Sequence, residues 1–228
     1  MSKGHLKKIV SPRTWLLPRK QNMFVIRPLP GSHPLEFSLP LGLLLKEKDF
    51  GSTAREIKKI INTKTVLVDN RRVKNPKYGV GLLDVVCVKE TKDYFRITLD
   101  AKGRLKILTI AESDTKVKPC RVNNKTAIKG NKVQLNLFDS RNIISDDKEI
   151  KTGDSVLIDL SSNKISGVLK FEKGAFVILT GGHHMGGLGV IKDIIGSTVV
   201  VESDGVKFNT EKHLVFVVGK NKEAVKLR

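Results

Sequence analysis

The chain has 228 residues, of which 39% are hydrophobic and only 5% aromatic, and 42 lysines and arginines against 23 acidic residues give it a formal net charge of +19. Such an excess of positive charge repels itself, and a polyanion relieves the repulsion, with nucleic acid as the leading candidate. The composition therefore argues against one large enzyme core and favours several small folded modules with a broad basic surface that suits a nucleic acid.

The lack of targeting signals and the small number of cysteines predict a soluble cytoplasmic protein with no membrane partner. No run reaches the roughly 18 apolar residues that a membrane span needs, and the N-terminal residues lack the apolar stretch of a signal peptide. The two cysteines, Cys87 and Cys120, are too few and too far apart for a zinc knuckle or a redox pair. Because both lie in or beside apolar, strand-like runs, we expect buried thiols.

Residues 1–40 predict an extended basic arm. Six prolines interrupt this stretch too often for a long helix or a central strand, and residues 1–28 contain seven basic residues and no acidic one. Trp15 is the only tryptophan of the chain; it could stack on a base or, as is more usual beside leucines, anchor the arm in a core. The candidate RNA contacts of the arm are Lys3, His5, Lys7, Lys8, Arg13, Trp15, Arg19 and Lys20.

Residues 41–92 predict a small α-plus-β module that opens with two helices. Leucines at helical spacing over residues 41–45 predict a short first helix. The second is predicted to begin at Thr53, which forms a capping box with Glu56. Its apolar stripe is expected to consist of Ala54, Ile57 and Ile61.

The second half of this module is predicted to be β, with a basic loop. A short strand over residues 65–68 precedes a turn-prone Asp69-Asn70, and residues 82–88 have the apolar density of a buried strand. Residues 46–77 contain ten basic and four acidic residues, a net charge of +6. That excess favours a face that binds folded RNA. The alternative is a solvated run of charges that only stabilises the helix. The candidate contacts are Lys46, Lys48, Arg55, Lys58, Lys59, Arg71, Arg72, Lys74 and Lys77.

Residues 93–171 show regular short strands with turn signals and no helix signal, which predicts a central β module. Its first hairpin is expected to turn at residues 100–104 with Gly103 at positive φ, and Lys102 and Arg104 beside that glycine are candidate RNA contacts. Asn123-Asn124 is expected to separate two further strands. Residues 131–165 contain five basic and six acidic residues, which indicates an ordinary solvated face.

A glycine-rich segment at residues 181–189 raises the question of a phosphate-binding loop. A Walker loop requires Gly-Lys-Ser/Thr at its end, whereas Leu188 follows Gly187, and a dinucleotide fingerprint requires a helix where Val190-Ile191 predicts a strand. A tight strand–loop–strand turn is the better interpretation. No third ligand accompanies His183-His184, so no metal is expected, and nothing assembles a catalytic set. The candidate RNA contacts here are Gly182, His183, His184 and Lys192.

Two stretches resemble known RNA-binding modules. Ser52-Thr53-Ala54-Arg55, Val66-Leu67-Val68-Asp69 and Arg71-Arg72-Val73 are similar to the αL module found in a bacterial small-subunit ribosomal protein, tyrosyl-tRNA synthetases and pseudouridine synthases. Thr180-Gly181-Gly182 and Gly189-Val190-Ile191 resemble a KOW motif. That resemblance implies an SH3-like barrel over residues 172–218, followed by a basic tail at 219–228.

The order of these modules resembles one family along nearly the whole chain, the S-four-e small-subunit ribosomal proteins of archaea and the eukaryotic cytosol. The match begins with His5-Leu6-Lys7-Lys8 and extends through Asp100-Ala101-Lys102-Gly103-Arg104 to Phe216-Val217-Val218-Gly219-Lys220. The chain ends without the longer basic tail of eukaryotic members and so looks archaeal. Where the family commonly has a basic residue after Gly186, this chain has Gly187, so the resemblance does not carry a phosphate contact to that position.

The resemblance implies a structural role in the small ribosomal subunit, with rRNA and neighbouring small-subunit proteins as partners, and no cofactor, small-molecule substrate or enzymatic activity. The implied fold is α+β and mostly β: an extended basic arm, a small αL module, a central β module and a C-terminal SH3-like KOW barrel. Two alternatives share single modules with this chain. They are an RNA-modifying enzyme of the pseudouridine synthase type and a KOW transcription elongation factor.

Overall fold

The computed structural model describes residues 4–130, 132–203 and 205–227. Strands dominate these ranges and only two α-helices occur in them, which confirms the prediction of an α+β, mostly β protein. Neither helix is long and apolar enough to cross a membrane.

The chain divides into two compact units. The first contains the residues up to 98 together with residues 104–111. The second contains residues 99–103 together with the residues from 112 onward.

Both helices belong to the first unit, α1 at Leu41–Glu47 and α2 at Ala54–Thr63. α2 begins where the capping box predicted. The Thr53 hydroxyl accepts the Glu56 amide N–H at 3.3 Å, and the Glu56 carboxylate accepts the Thr53 amide N–H at 3.2 Å. Two backbone donors that a helix start leaves unsatisfied thereby gain partners.

Apolar residues of the two helices form part of the core of this unit. Leu41, Leu44 and Leu45 of α1 are completely buried, and so is Ile61 of α2. Ala54, which the sequence placed on the apolar stripe of α2, is exposed instead, because the first residue of the helix lies beyond the packed turns.

Nine short strands accompany the helices. The strands of only two residues each pair with a single neighbouring strand. They are β1 (Leu6–Lys7), β2 (Phe24–Val25), β3 (Ser38–Pro40), β4 (Val66–Val68), β5 (Arg71–Arg72), β6 (Gly79–Gly81), β7 (Val85–Val88), β8 (Asp93–Leu99) and β9 (Leu105–Thr109).

The main sheet of the first unit has the strand order β5-β4-β7-β8-β9. β8 pairs antiparallel with β7, with Val85 opposite Arg96 and Val88 opposite Asp93. The module boundary predicted between residues 92 and 93 is therefore not where this sheet ends, since the first hairpin assigned to the central module hydrogen-bonds to the strand before it.

Two turns of this sheet have the backbone that their residues predicted. Asp69 and Asn70 connect β4 to β5 with φ values of 47° and 62°, the positive pair of a type I′ turn, in which asparagine and aspartate are among the favoured residues. Gly103, between β8 and β9, has a φ of 69°, in the left-handed region that glycine enters without steric cost.

The second unit contains two five-stranded antiparallel sheets, with strand orders β12-β11-β10-β13-β14 and β18-β17-β16-β15-β19. The strands are β10 (Val117–Ile128), β11 (Lys132–Leu137), β12 (Asn142–Ser145), β13 (Ser155–Asp159), β14 (Lys164–Leu169), β15 (Phe176–Leu179), β16 (Leu188–Ile195), β17 (Thr198–Ser203), β18 (Val206–Glu211) and β19 (Val215–Gly219).

Each of these sheets has its own apolar core. Cys120, Leu135 and Val156 are among the buried residues of the first core, and Val177 and Val217 are among those of the second. The five strands of the second sheet supply what the predicted SH3-like barrel requires, and its identity as a KOW barrel stays a prediction.

One predicted turn in the second unit is wrong. Asn123-Asn124 does not separate two strands but lies inside β10, where the pairing with β11 shifts register between Val122 and Asn124. A β-bulge absorbs the extra residue, so that one strand can pair with β13 through its first half and with β11 through its second.

Candidate nucleic-acid interface

Uncompensated positive charge is concentrated on α2. Helical periodicity buries Ile57 and Ile61 on one side and leaves Arg55, Lys58 and Lys59 exposed on the other. Among the described residues, none of these three cations forms an ion pair. The predicted basic face is therefore present on the surface, with its charge available to a polyanion.

Glu56, the only acidic residue of α2, is engaged by the helix cap rather than by these cations. Its carboxylate accepts the backbone N–H groups of Thr53 at 3.2 Å and of Ser52 at 2.9 Å. These hydrogen bonds, with the one from Thr53 as the largest cause, lower the pKa of Glu56 below its ordinary value. The carboxylate stays ionised at the positive end of the helix and leaves the basic face open.

The β4–β5 hairpin presents a second group of cations in the same unit. Arg71 and Arg72 are exposed directly after the type I′ turn. Asp69, which could have neutralised them, is buried, and its carboxylate accepts the backbone N–H of Val85 at 2.9 Å. The loop that follows adds two further exposed lysines, Lys74 and Lys77.

The two lysines near the end of α1 differ from each other. Lys46 is exposed, whereas Lys48 is half-buried with its ammonium 5.3 Å from the ring centroid of Phe95. That cation–π contact holds Lys48 against the protein, so Lys46 is the better candidate for an RNA contact.

The described part of the arm forms a short strand pair and a ring contact. β1 pairs with β2, which places Leu6 opposite Val25, and the aromatic rings of His5 and Phe24 meet edge-to-face. Of the arm's predicted contacts, His5, Lys7, Arg13 and Lys20 are exposed, while Lys8 is buried and is a poor candidate. Lys3 lies outside the described residues.

Trp15 is a core residue rather than a stacking platform. Only 2% of it is exposed, so no face of the indole is open to a base, and the anchoring interpretation is the right one. Arg19 holds the same part of the arm together. Its guanidinium donates to the backbone carbonyls of Ser11 and Pro12, each at 2.8 Å.

A backbone contact brings together two predicted arginines that are far apart in the sequence. The N–H of Leu105 donates to the carbonyl of Thr14 at 2.7 Å, which fixes Arg104 beside Arg13. Sequence reasoning named both residues but gave no signal that they are neighbours, because the contact depends on β9 lying next to the arm. Lys102, in the adjoining turn, is exposed.

The glycine-rich loop between β15 and β16 exposes both of its histidines. The His184 ring stacks on Phe208, with 4.2 Å between ring centroids and planes 24° apart, and the His183 ring meets that of His184 edge-on at 5.0 Å. Gly182 has a φ of 81°, so this turn requires glycine. The loop is followed directly by β16 and not by a helix, which agrees with the strand–loop–strand interpretation.

Lys192 is a weaker RNA-contact candidate than the sequence indicated. Its ammonium pairs with the Glu202 carboxylate at 2.7 Å, and this hydrogen bond is the largest cause of a lowered Glu202 pKa. No local pattern indicates this ion pair, because the partner lies on the neighbouring strand. As for metals, no group of three or more histidine, cysteine or acidic side chains suited to an ion occurs among the described residues.

Family models match three consecutive parts of the chain. An RS4NT (NUC023) domain matches residues 2–36, an S4 domain matches residues 40–86, and the model described as Ribosomal family S4e matches residues 91–165. The order is that of the arm, the α-plus-β module and the β region that follows it.

Archaeal proteins are similar to this chain over its full length. Small ribosomal subunit protein eS4 of Methanocaldococcus jannaschii is 41% identical across 99% of this chain and 98% of its own length. The protein of the same name from Methanothermobacter thermautotrophicus is 40% identical across 99% of this chain and 96% of its own.

A solved structure agrees with these relationships. The crystal structure of 30S ribosomal protein S4e from Thermoplasma acidophilum superposes with a TM-score of 0.68 at 30% identity, covering 81% of this chain and 95% of that one. Sequence similarity, module order and fold thus lead to one assignment. The chain belongs to the ribosomal protein S4e family.

Proposed function

We propose that the protein is a structural constituent of the small ribosomal subunit, where it binds rRNA and stabilises the folded form of that RNA for translation in the cytoplasm. The observation that carries the proposal is full-length similarity, 41% identity over 99% of the chain, to a protein named small ribosomal subunit protein eS4. Similarity of that extent includes the order of all the modules and is not limited to one shared RNA-binding domain.

Charge neutralisation is the chemistry of this role. Exposed lysines and arginines without acidic partners displace counterions from RNA phosphates, which adds affinity without base specificity, while the shape of the modules selects the fold of the RNA. The proposed contacts are His5, Lys7, Arg13, Lys20, Lys46, Arg55, Lys58, Lys59, Arg71, Arg72, Lys74, Lys77, Lys102, Arg104, Gly182, His183 and His184.

Neighbouring small-subunit proteins are the other proposed partners. The arm leaves several apolar side chains strongly exposed, among them Ile9 at 74%, Val10 at 70%, Met23 at 68% and Phe24 at 52%. Grouped apolar surface of this kind suits burial against another protein better than contact with water.

Neither alternative function gains support. A pseudouridine synthase would share the S4 domain over residues 40–86, yet the region that follows, where its catalytic domain would be expected, matches the Ribosomal family S4e model. A KOW elongation factor would share only the C-terminal module and would not account for the domain match over residues 2–36.

Sedimentation of the cellular protein tests the proposal. We expect the protein to remain with small subunits after a high-salt wash, and chemical footprinting of these subunits with and without it to reveal protected rRNA phosphates. Release into the soluble fraction at salt concentrations that leave other small-subunit proteins bound would reject the proposal, as would sedimentation with RNA polymerase.

A further inference from the structure

A polar cavity in the first unit is surrounded by three arginines. Its volume is about 440 Å³, and it is lined by Arg13, Trp15, Leu16, Leu17, Arg19 and Arg104. This size lies in the range of pockets that hold small ligands, about 300–1,000 Å³. A lining that combines three arginines with no acidic residue is chemically suited to an anion.

The backbone, and not the side chains themselves, brings the arginines together. The carbonyl of Thr14 accepts the N–H of Leu105 at 2.7 Å, and the Thr14 hydroxyl donates to the carbonyl of Glu36 at 2.5 Å. Thr14 is thus held from two sides, between Arg13 and Trp15 in the sequence, while Leu105 directly follows Arg104. The backbone positions of Arg13 and Arg104 are consequently fixed before any ligand binds, so that only their side chains have to be ordered on binding.

The charge of this cluster is uncompensated. In the part of the chain that the structure describes, Arg13 and Arg104 form no ion pair and no side-chain hydrogen bond. Arg19 donates to the backbone carbonyls of Ser11 and Pro12, which orient its guanidinium but do not cancel its charge. Three like charges around one concavity repel one another, and an anion between them removes that repulsion.

Trp15 forms a buried wall of this cavity. The indole is 2% exposed and lines the cavity, and its Nε1–H is buried with no hydrogen-bond partner in the described residues. A buried donor without an acceptor costs stability, and native proteins retain few of them. Because this nitrogen is closed off from solvent, the indole belongs to the wall of the cavity, and the arginines are the groups that a ligand can reach.

We propose that this cavity is a phosphate-binding site that holds one backbone phosphate of the RNA, with Arg13 and Arg104 as direct ligands and Arg19 as a preorganised third charge. The proposal rests on the proposed RNA-binding function and adds a single localised anion site to what is otherwise a diffuse basic surface. An arginine fork matches the geometry of phosphate oxygens, which explains why arginine rather than lysine surrounds the cavity.

The only tryptophan of the chain gives this site its own spectroscopic signal. The full-length protein is titrated with inorganic phosphate at constant ionic strength, with chloride as the balancing anion, while Trp15 fluorescence and the indole N–H resonance are recorded. We expect a saturable change in the wild type and an affinity at least about tenfold weaker in Arg13→Gln/Arg104→Gln, because each lost guanidinium removes a charge-assisted hydrogen bond.

The matched control is Lys46→Gln/Lys58→Gln, which removes two exposed cations of the same unit that do not line the cavity. It should bind phosphate as the wild type does. Unchanged thermal unfolding of both variants shows that the arm remains folded. An equal response of the wild type and Arg13→Gln/Arg104→Gln overturns the proposal, as does a tighter response to acetate, which would assign the cavity to a carboxylate.

The same two variants distinguish a failure of the phosphate site from a failure of the proposed rRNA-binding function. In rRNA binding assays, single RNA phosphates are replaced by uncharged methylphosphonates. We expect one replacement to weaken the binding of the wild type and of the control but not that of Arg13→Gln/Arg104→Gln. Wild-type affinity in the cavity variant would reject the phosphate site and leave the RNA-binding function standing. Absence of rRNA binding by the wild type would reject the function itself, whatever the phosphate titration shows.

Discussion

The α2 face and the central sheet of the second unit use positive charge in opposite ways. On α2, Arg55, Lys58 and Lys59 are exposed and have no acidic partner among the described residues. In the sheet of β10–β14, the Lys118 ammonium is buried and lies 3.0 Å from the Asp139 carboxylate. The first arrangement leaves charge for a ligand, whereas the second uses it within the fold.

The difference shows that a net charge of +19 is not in itself a binding site. The lysines near the surface of the second unit illustrate this, because Lys173 meets Asp193 at 2.6 Å and Lys192 meets Glu202 at 2.7 Å. Cations become available to RNA where the neighbouring acids are engaged elsewhere, as Glu56 is by the helix cap and Asp69 is by the Val85 N–H.

The largest expected effect tests the charge that is used within the fold. Asp139→Ala should lower the free energy of unfolding by about 3–5 kcal/mol, because the Lys118 ammonium, 1% exposed, loses its buried carboxylate. Urea denaturation measures this change. The control is Asp146→Ala, since that carboxylate is 84% exposed and lies 3.8 Å from Lys132, and it should cost less than about 1 kcal/mol. Equal losses of unfolding free energy in Asp139→Ala and Asp146→Ala would contradict the distinction between the buried and the exposed ion pair.

The next effect tests the charge left for a ligand. Arg55→Gln/Lys59→Gln should weaken rRNA binding by at least about tenfold at low salt and reduce the slope of log affinity against log salt by about 2, one for each lost phosphate contact. Filter binding over a series of salt concentrations measures both quantities. Lys173→Gln/Lys192→Gln removes the same number of charges from ion-paired positions and should leave the slope nearly unchanged. A similar loss in both variants would mean that net charge, and not its placement, governs binding.

The smallest effect concerns the cap that keeps α2 and its basic face in place. Thr53→Ala should lower the free energy of unfolding by about 1 kcal/mol, because the Glu56 N–H loses its acceptor. Thermal unfolding of the purified variant tests this value, with Thr63→Ala at the other end of α2 as the comparison. If Thr63→Ala costs as much as Thr53→Ala, the capping box is not what stabilises the start of this helix.

The capping box also predicts a pH dependence. The pKa of Glu56 is lowered in the folded protein from a reference of 4.5, so its contribution is present above that value and is lost as the pH falls through the lower folded pKa. Glu56→Gln should therefore weaken the pH dependence of stability below pH 4.5, which denaturation at a series of acidic pH values will show.

Local features of the fold were predictable because their causes are local. The capping box at Thr53 and Glu56, the turn at Asp69-Asn70 and the positive φ of Gly103 each depend on residues within one turn of the chain. The exposed basic face of α2 followed from helical periodicity alone. The order of the modules also identified the family, whereas the individual RNA contacts stay a prediction.

The errors occurred where a residue's environment comes from distant parts of the chain. Lys8 belongs to a basic, proline-rich stretch, and nothing in that stretch shows that the arm folds against its unit and buries this lysine, although the leucines beside Trp15 did favour an anchor. Lys192 is a weaker candidate than the sequence indicated because it pairs with a carboxylate on the next strand. Asn123-Asn124 has the composition of a turn, but pairing on both sides keeps it within a bulged strand.

The sequence by itself determined that the protein is a mostly β, basic, RNA-binding chain of the S4e type. Composition, periodicity and module order were sufficient because charge, capping and strand patterns depend on short stretches of residues. Tertiary structure alone decided which cations remain free and which of them converge. Pairing depends on strand register, and the convergence of Arg13 with Arg104 depends on one backbone hydrogen bond between Thr14 and Leu105, residues that no local pattern connects.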